Sequence, residues 1–283
     1  MELVSVIIPC YNQGHFLAEA VHSVLAQTYP HLEIILVNDG STDENTNQII
    51  DAIEIGRGQK ILTANRGLSE ARNIAIEHAK GSYILALDAD NKMAPGFLEK
   101  TVAVLQQDAS LDIVYTDAWY FGSKTGEWKQ PEVEFPLMLK RNLVDACTLY
   151  RKTVWEVCKG YKKNMLYGWE DWDFWLSAHE NSCRFYHLKE PLFYYRIGDT
   201  SMRDQIELFK KRKQYLEQQL ILNHPLLYQQ YFPEPLTLLR ELDILQTETA
   251  QFEQYKKGFY QTASYGIGHF ILSPFKWIKR NKK

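Results

Sequence analysis

From residue 4 to residue 117 the chain alternates short apolar runs with segments of helical spacing, and that rhythm limits the fold more than any other feature. "VSVIIP" (4–9), "EIILVND" (33–39), "KILTAN" (60–65), "SYILALD" (82–88) and "LDIVYTD" (111–117) read as strands. Between them, "FLAEAVHSVLAQ" (16–27), "ENTNQIIDAIE" (44–54) and "SEARNIAIEHAKG" (69–81) repeat apolar residues three and four apart, as a helix does. Ser69 stands where an N-cap belongs, Gly81 where a C-cap belongs, and Pro95 suits the first turn of a further helix. Strands alternating with helices of this length predict βαβ units and a mostly parallel sheet covered on both faces.

After about residue 120 the rhythm loosens. "GSKTGEW" (122–128) is a turn-rich break and 131–160 is mixed. "WEDWDFWLSAHE" (169–180) starts a helix, "CRFYHL" (183–188) and "LFYYRI" (192–197) are strand-like, and from Arg203 onward the chain is helical in character. With 283 residues, 45% of them hydrophobic, the chain can bury one large core, or one core plus an appended subdomain. A net charge of −3 supplies no general attraction for nucleic acid, and the Lys210–Lys213 run reads as a solvated helix face. Cys10, Cys147, Cys158 and Cys183 show no paired spacing, so reduced thiols and a cytoplasmic setting are expected. The strand pattern begins at Leu3, leaving no room for a leader, and no run approaches the roughly 20 apolar residues of a spanning helix.

In doubly covered sheets ligands bind beyond the carboxyl ends of the strands. Three strand ends here are polar: "PCYN" (9–12), "NDGSTD" (38–43) and "DADN" (88–91). Asp88 and Asp90 point the same way in an extended segment, and two like charges so close need a cation or a shared proton. A hard divalent ion prefers such oxygens, and Mg²⁺ commonly takes one or two carboxylates plus substrate phosphates. The pair then reads as the seat of Mg²⁺ or Mn²⁺ on a diphosphate; a turn cap beside a solvated acid is the plainer reading of an isolated pair. No GxGxxG follows the first strand, and neither GxxxxGK[ST] nor GxSxG occurs. A phosphohydrolase using Asp88 as nucleophile stays open at this point.

Taken together, "VSVIIPCYNQGHFLAEAVHSVLAQTYPHLEIILVNDGSTDENT", "NRGLSEARNIAIEHAKGSYILALDADN" and "GWEDWDFW" resemble the inverting GT-A glycosyltransferases of family 2, over about residues 3–202. The resemblance implies an α/β fold of GT-A type. Its parts would be a nucleotide-sugar-binding half (1–120), an acceptor-binding and catalytic half (121–202) and a helical C-terminal extension (203–283). It implies that Pro9, Tyr11 and Asp39 line the base pocket, that Arg72 lies close to the nucleotide, and that Asp88 contacts the ribose or the metal shell. Asp90 would ligate Mg²⁺ or Mn²⁺, Asp171 would be the general base, and Glu170 would position the acceptor. Trp169 is the expected acceptor platform, while Trp172 and Trp175 have a core-packing reading as well.

Family members commonly carry a metal-contacting His two residues after the Arg of "YYR"; here "YYRIGDTSM" puts Gly198 there. Arg196 or Arg203 on the diphosphate, or Asp199 as an oxygen ligand, are the substitutes. The processive QxxRW signature is absent, which points to single addition. The tail 266–283 pairs an apolar-aromatic stretch with a basic end, suiting peripheral contact with the inner membrane face and a lipid-linked acceptor. The expected activity is transfer of a sugar from a nucleotide-diphosphate sugar, a UDP-sugar by default, to a glycan or lipid-linked saccharide. A non-catalytic nucleotide- or carbohydrate-binding protein retaining the fold is the alternative.

Overall fold

The computed structural model describes residues 2–198 and 209–261. Its first strand, β1 (Val4–Cys10), is buried at every residue and forms the axis of the sheet. Strand β2 (Leu32–Asp39) pairs with it in parallel on one side and β4 (Tyr83–Ala86) on the other, while β3 (Gly58–Thr63) continues beyond β2 as an edge. Val4, Val6 and Ile8 pack with Leu17, Val21 and Val24 of α1 (Gly14–Leu25) and with Phe97, Leu98 and Val102 of α4 (Phe97–Gln107). Each such aliphatic side chain contributes roughly 1.5–3 kcal/mol by leaving water. The other connections are α2 (Glu44–Ala52), begun by Asp43 accepting the Thr46 amide at 2.9 Å, and α3 (Leu68–His78).

Beyond β4 the sheet changes direction. Strand β8 (Leu149–Arg151) inserts antiparallel between β4 and β6 (Ile113–Gly122). Strand β6 then runs parallel to the long β9 (Phe185–Ile197), which carries the two-residue β5 (Lys92–Met93) on its far side; β7 (Gly126–Trp128) folds back on β6. The order is β3-β2-β1-β4-β8-β6-β9-β5. A 3-10 turn (Leu137–Leu139), α5 (Lys152–Val157) and α6 (Glu170–Glu180) fill the interval before β9. The C-terminal helices are α7 (Lys210–Asn223), α8 (Pro225–Tyr231) and α9 (Pro235–Tyr260). Contacts divide the chain into residues 1–228 and residues 229–283. Among the described residues no helix is long and apolar enough to cross a membrane.

Three local expectations need correction. The two strands expected at 183–188 and 192–197 are one strand, and Pro191, which has no amide to donate, sits at the register shift opposite Asp117. Helix α3 is capped by Gly67 at φ 88°, so Ser69 lies inside it, buried, with no partner for its hydroxyl. Gly81 is not a C-cap, a place taken by Ala79; a Cβ at Gly81 would lie 2.6 Å from the Leu3 carbonyl oxygen, so it permits close chain approach. Asp199, Arg203 and the tail 266–283 lie outside the described residues.

Candidate active site

The three polar strand ends meet at one rim. After β1, Asn12 adopts φ 55° and its side-chain oxygen accepts the amides of Thr42 and Asp43, each at 2.9 Å, latching the loop after β1 to the loop after β2. Pro9 is buried within β1, and Tyr11 is left facing outward, 43% exposed. Asp39, buried at the end of β2, accepts the amides of Arg66 and Gly67 (2.9 Å each), fixing the loop that leads into α3. Gly40 makes this possible: its φ is +66°, and a Cβ there would meet the Asn65 nitrogen at 2.4 Å.

Arg72 is the centre of the arrangement. It projects from the inner face of α3 with 1% of its side chain exposed, and it binds Asp88 Oδ1 at 2.7 Å and Glu170 Oε1. A guanidinium presents several donors in a rigid fork, so one buried cation joins the acidic strand end after β4 to the first turn of α6. Burial works against its charge, but Asp88 and Glu170 outweigh burial and hold its pKa well above the ordinary value. The chain approaches α6 through Gly168 (φ 122°) and Trp169, itself left-handed at φ 60°. That turn leaves Trp169 half-buried, its ring centroid 5.0 Å from that of Trp172. Trp172 and Trp175 are core residues, donating to the carbonyls of Met138 (2.6 Å) and Val144 (3.0 Å).

Asp171 follows with its Oδ2 accepting from Asn142 Nδ2 at 2.9 Å and Oδ1 accepting the Trp172 amide at 2.7 Å. Burial, then the charges of Glu170 and Asp145, push its pKa up to about 8. Burial, with Asp88 next, raises Asp90 to about 6 and Asp145 to about 7. Burial also raises Glu170, against the pull of Arg72, and its Oε2 has no hydrogen-bond partner. Asp88, Asp145, Glu170 and Asp171 thus share the field of one guanidinium, and Asp90 feels Asp88 and Arg196. Asp145 and Asn142 escape sequence reasoning; an aspartate inside the apolar run "LVDAC" is the one local sign of the former.

These residues fit a hard cation. Burial, with the neighbouring charge of Asp88 next, holds Asp90 and Asp145 above their ordinary range; a divalent ion would relieve the repulsive part, and the Asp90 carboxyl makes no ion pair among the described residues. No set of three or more His, Cys, Asp or Glu side chains forms a ready metal cage among the described residues. Asp88 and Asp90 would hold it. Arg196 lies against the same loop: its Nε donates to the Asp90 carbonyl at 2.8 Å and its amide to Asn91 Oδ1 at 2.9 Å. Its Nη2 binds Glu19, and its head sits between the rings of Phe16 (4.4 Å) and Phe121 (4.2 Å). Gly198 meets nothing that a Cβ would disturb.

Residues 5–168, more than half of the chain, match the sequence profile of Glycosyl transferase family 2. The chain belongs to that family. The match ends two residues before Glu170. Glycosyltransferase GlyG of Streptococcus pneumoniae is 37% identical over 130 residues, spanning 45% of this chain and 42% of GlyG. The putative glycosyltransferase EpsE of Bacillus subtilis is 30% identical over 218 residues, 74% of this chain and 76% of EpsE. A crystal structure of residues 1–349 of S. aureus TarS in complex with UDP-GlcNAc superposes with a TM-score of 0.61 at 17% identity, covering 82% of this chain and 73% of that one. That likeness is one of fold, and with the family it makes this a GT-A glycosyltransferase architecture.

Proposed function

We propose that this family 2 protein moves a sugar from a nucleoside-diphosphate sugar to a saccharide hydroxyl with inversion, Asp171 acting as base. The observation that carries the reading is the buried Arg72, which ties the Asp88 strand end to the Glu170–Asp171 turn and so joins a phosphate-side acid pair to an acceptor-side acid pair. A UDP-sugar is the favoured donor, since UDP-GlcNAc occupies TarS, a protein of the same fold. A glycan or lipid-linked saccharide is the favoured acceptor.

In this reading Pro9, Tyr11 and Asp39 flank the base, the rigid loops around Asn12 and Asp39 having been shaped before the nucleotide arrives. The acceptor hydroxyl approaches Asp171, whose Oδ2 is aimed by Asn142. As the oxygen attacks the anomeric carbon, Asp171 takes its proton, and the bond to the diphosphate breaks on the opposite face. A carboxylate raised to about 8 is a strong acceptor for that proton. Glu170 Oε2, buried and unpartnered, is an acceptor for a further sugar hydroxyl. A divalent ion at Asp88 and Asp90, when bound, supplies neutralising charge to the departing diphosphate. Arg196, next to Asp90, is the candidate for the outer diphosphate oxygens once it leaves Glu19.

The test compares wild type with Asp171→Asn. Transfer from a UDP-sugar is expected to fall about a thousandfold, with UDP affinity unchanged, because a base acts on the acceptor side. Chelation is expected to weaken UDP binding in calorimetry. A mutant that loses UDP affinity yet transfers normally at saturation removes the assigned role.

A further inference from the structure

A second cleft, of about 340 Å³, lies toward the far end of α6. Tyr115, Phe135 and Phe185 form its walls, and Glu132, His179 and His187 its polar edge. His179 stands eight residues beyond Asp171, which places it about 12 Å further along the helix axis. The cleft is distinct from the Arg72 site, and it is built. Its covering strap is pinned where Gln130 donates its amide to Asp117 Oδ1 (2.8 Å) and Val133 donates to the Tyr115 hydroxyl (3.1 Å). That hydroxyl donates in turn to the Pro131 carbonyl (3.0 Å).

His187 is the unsatisfied part. Its ring stacks on Tyr115 at 4.5 Å and 9°, its side chain is 5% exposed, and its Nε2 lies 2.9 Å from Asp117 Oδ1. An ionised carboxylate only accepts, so Nε2 carries a proton, and in the neutral ring Nδ1 is then an acceptor. That Nδ1 has no partner; Glu132 Oε1 is 3.6 Å away, too far for a hydrogen bond and itself an acceptor. Leaving such a buried atom unpaired carries a desolvation penalty that a ligand donor would remove. Two acceptors 3.6 Å apart with no donor between them match two neighbouring donors on one ligand. Asp117 and Glu132 disfavour an anion, and Lys189 already pairs with Glu132 at 2.7 Å, so no cation is called for. What remains is a neutral, hydroxyl-rich molecule with an apolar face for the aromatic walls.

We propose that this cleft is a saccharide subsite that takes one pyranose ring, with vicinal hydroxyls donating to His187 Nδ1 and Glu132 and the C–H face against the aromatic wall. Glu132, 53% exposed on its side chain, covers Nδ1 and turns aside to share the ligand. The inference rests on the glycosyl-transfer reading in one respect: the ring is then an earlier sugar of the acceptor, lying along α6 from the reacting hydroxyl.

Saturation-transfer NMR on the full chain, with methyl glucopyranoside, galactopyranoside and mannopyranoside as probes, tests it. At least one glycoside is expected to receive saturation on its ring C–H protons. Glu132→Ala, a surface change, reduces that signal at least fivefold, and UDP and Asp171→Asn leave it unchanged. His187→Phe, which keeps the stack on Tyr115, does the same as Glu132→Ala; should it fail to fold, Glu132→Ala alone decides. Absence of binding by all three, displacement by UDP, indifference to Glu132→Ala, or stronger competition by ethanolamine each overturns the proposal. With a glycan acceptor, a tenfold rise in its KM in Glu132→Ala at unchanged kcat assigns the ring to the acceptor; an unchanged KM overturns that assignment. UDP binding and donor hydrolysis by the wild type, neither of which needs the cleft, report separately on the glycosyl-transfer reading.

Discussion

Helix α6 carries buried acids at two places, and the two are treated differently. At one of them Asp173, in the first turn, and Glu180, at the C-terminal end, face His224: Nδ1 lies 2.7 Å from Glu180 Oε2, Nε2 lies 3.2 Å from Asp173 Oδ1, and Asn223 adds a bond to Asp173 at 2.6 Å. Burial lowers the His224 pKa, but the two carboxylates outweigh it and raise the value, so one cation serves two anions. At the other, also in the first turn, the single guanidinium of Arg72 is spent on Asp88 and Glu170, and Asp171 receives an amide from Asn142 but no cation. Burial, with the charges of Glu170 and Asp145, raises its pKa to about 8. One cluster gives both of its acids a shared cationic partner and ties the end of α7 to α6; the other leaves one acid, Asp171, without an ion-pair partner.

The comparison breaks most severely if Arg72 is dispensable. Arg72→Met leaves Glu170 buried without its cation and should cost about 3–5 kcal/mol in urea unfolding, with much of the loss recovered in Arg72→Met/Glu170→Gln. A wild-type midpoint in the single variant would show that the first turn does not depend on that ion pair. The next effect is in pH. Asp171 is protonated below about 8, so kcat/KM should fall about tenfold per unit below that value and level off above it. A bound cation moves the limb lower. The raised carboxyls also bear on stability: their contribution is complete below their ordinary values near 4 and is lost as pH rises through about 6, 7 and 8 for Asp90, Asp145 and Asp171.

His224→Gln gives a smaller change of the same sign. Its raised pKa means that the stabilisation is complete below about 6.5 and disappears as pH climbs through the folded value. The variant should lose about 2 kcal/mol near pH 6 and progressively less in alkali, read from denaturation midpoints across pH. A loss independent of pH would remove the imidazolium from the comparison. Smallest is Asn142→Ala, which deletes one hydrogen bond to Asp171 and should lower kcat about three- to tenfold, with UDP affinity unaffected in calorimetry.

The parallel half of the fold was legible because its determinants are local. Strands such as β1 and β2 are apolar along their length, and "DAD" follows a buried run directly. The rest depends on partners far away in the chain. Asp145 owes its depth to β8, whose residues 149–151 slot beside 83–85, a pairing no periodicity announces. Asn142 meets Asp171 across 29 residues, and only the folded chain brings them together. Ser69 misled because a different contact decides where α3 begins: Asp39 takes the Gly67 amide and starts the helix two residues earlier. Glu170 and Asp171 were singled out through family resemblance, while the bond that Arg72 makes from Asp88 to Glu170 is visible only in the folded chain.

Trp169 has a consequence for anyone who would toughen this protein. A left-handed backbone at an indole-bearing residue stores about 1–2 kcal/mol, and glycine would release it. A search for heat-tolerant variants should therefore keep returning to this position, and each success there would strip the aromatic plate from beside Asp171. If the indole carries the acceptor, as proposed for this site, durability and grip are set against one another at a single residue, and the hardiest versions of the chain are the ones to check first for idleness.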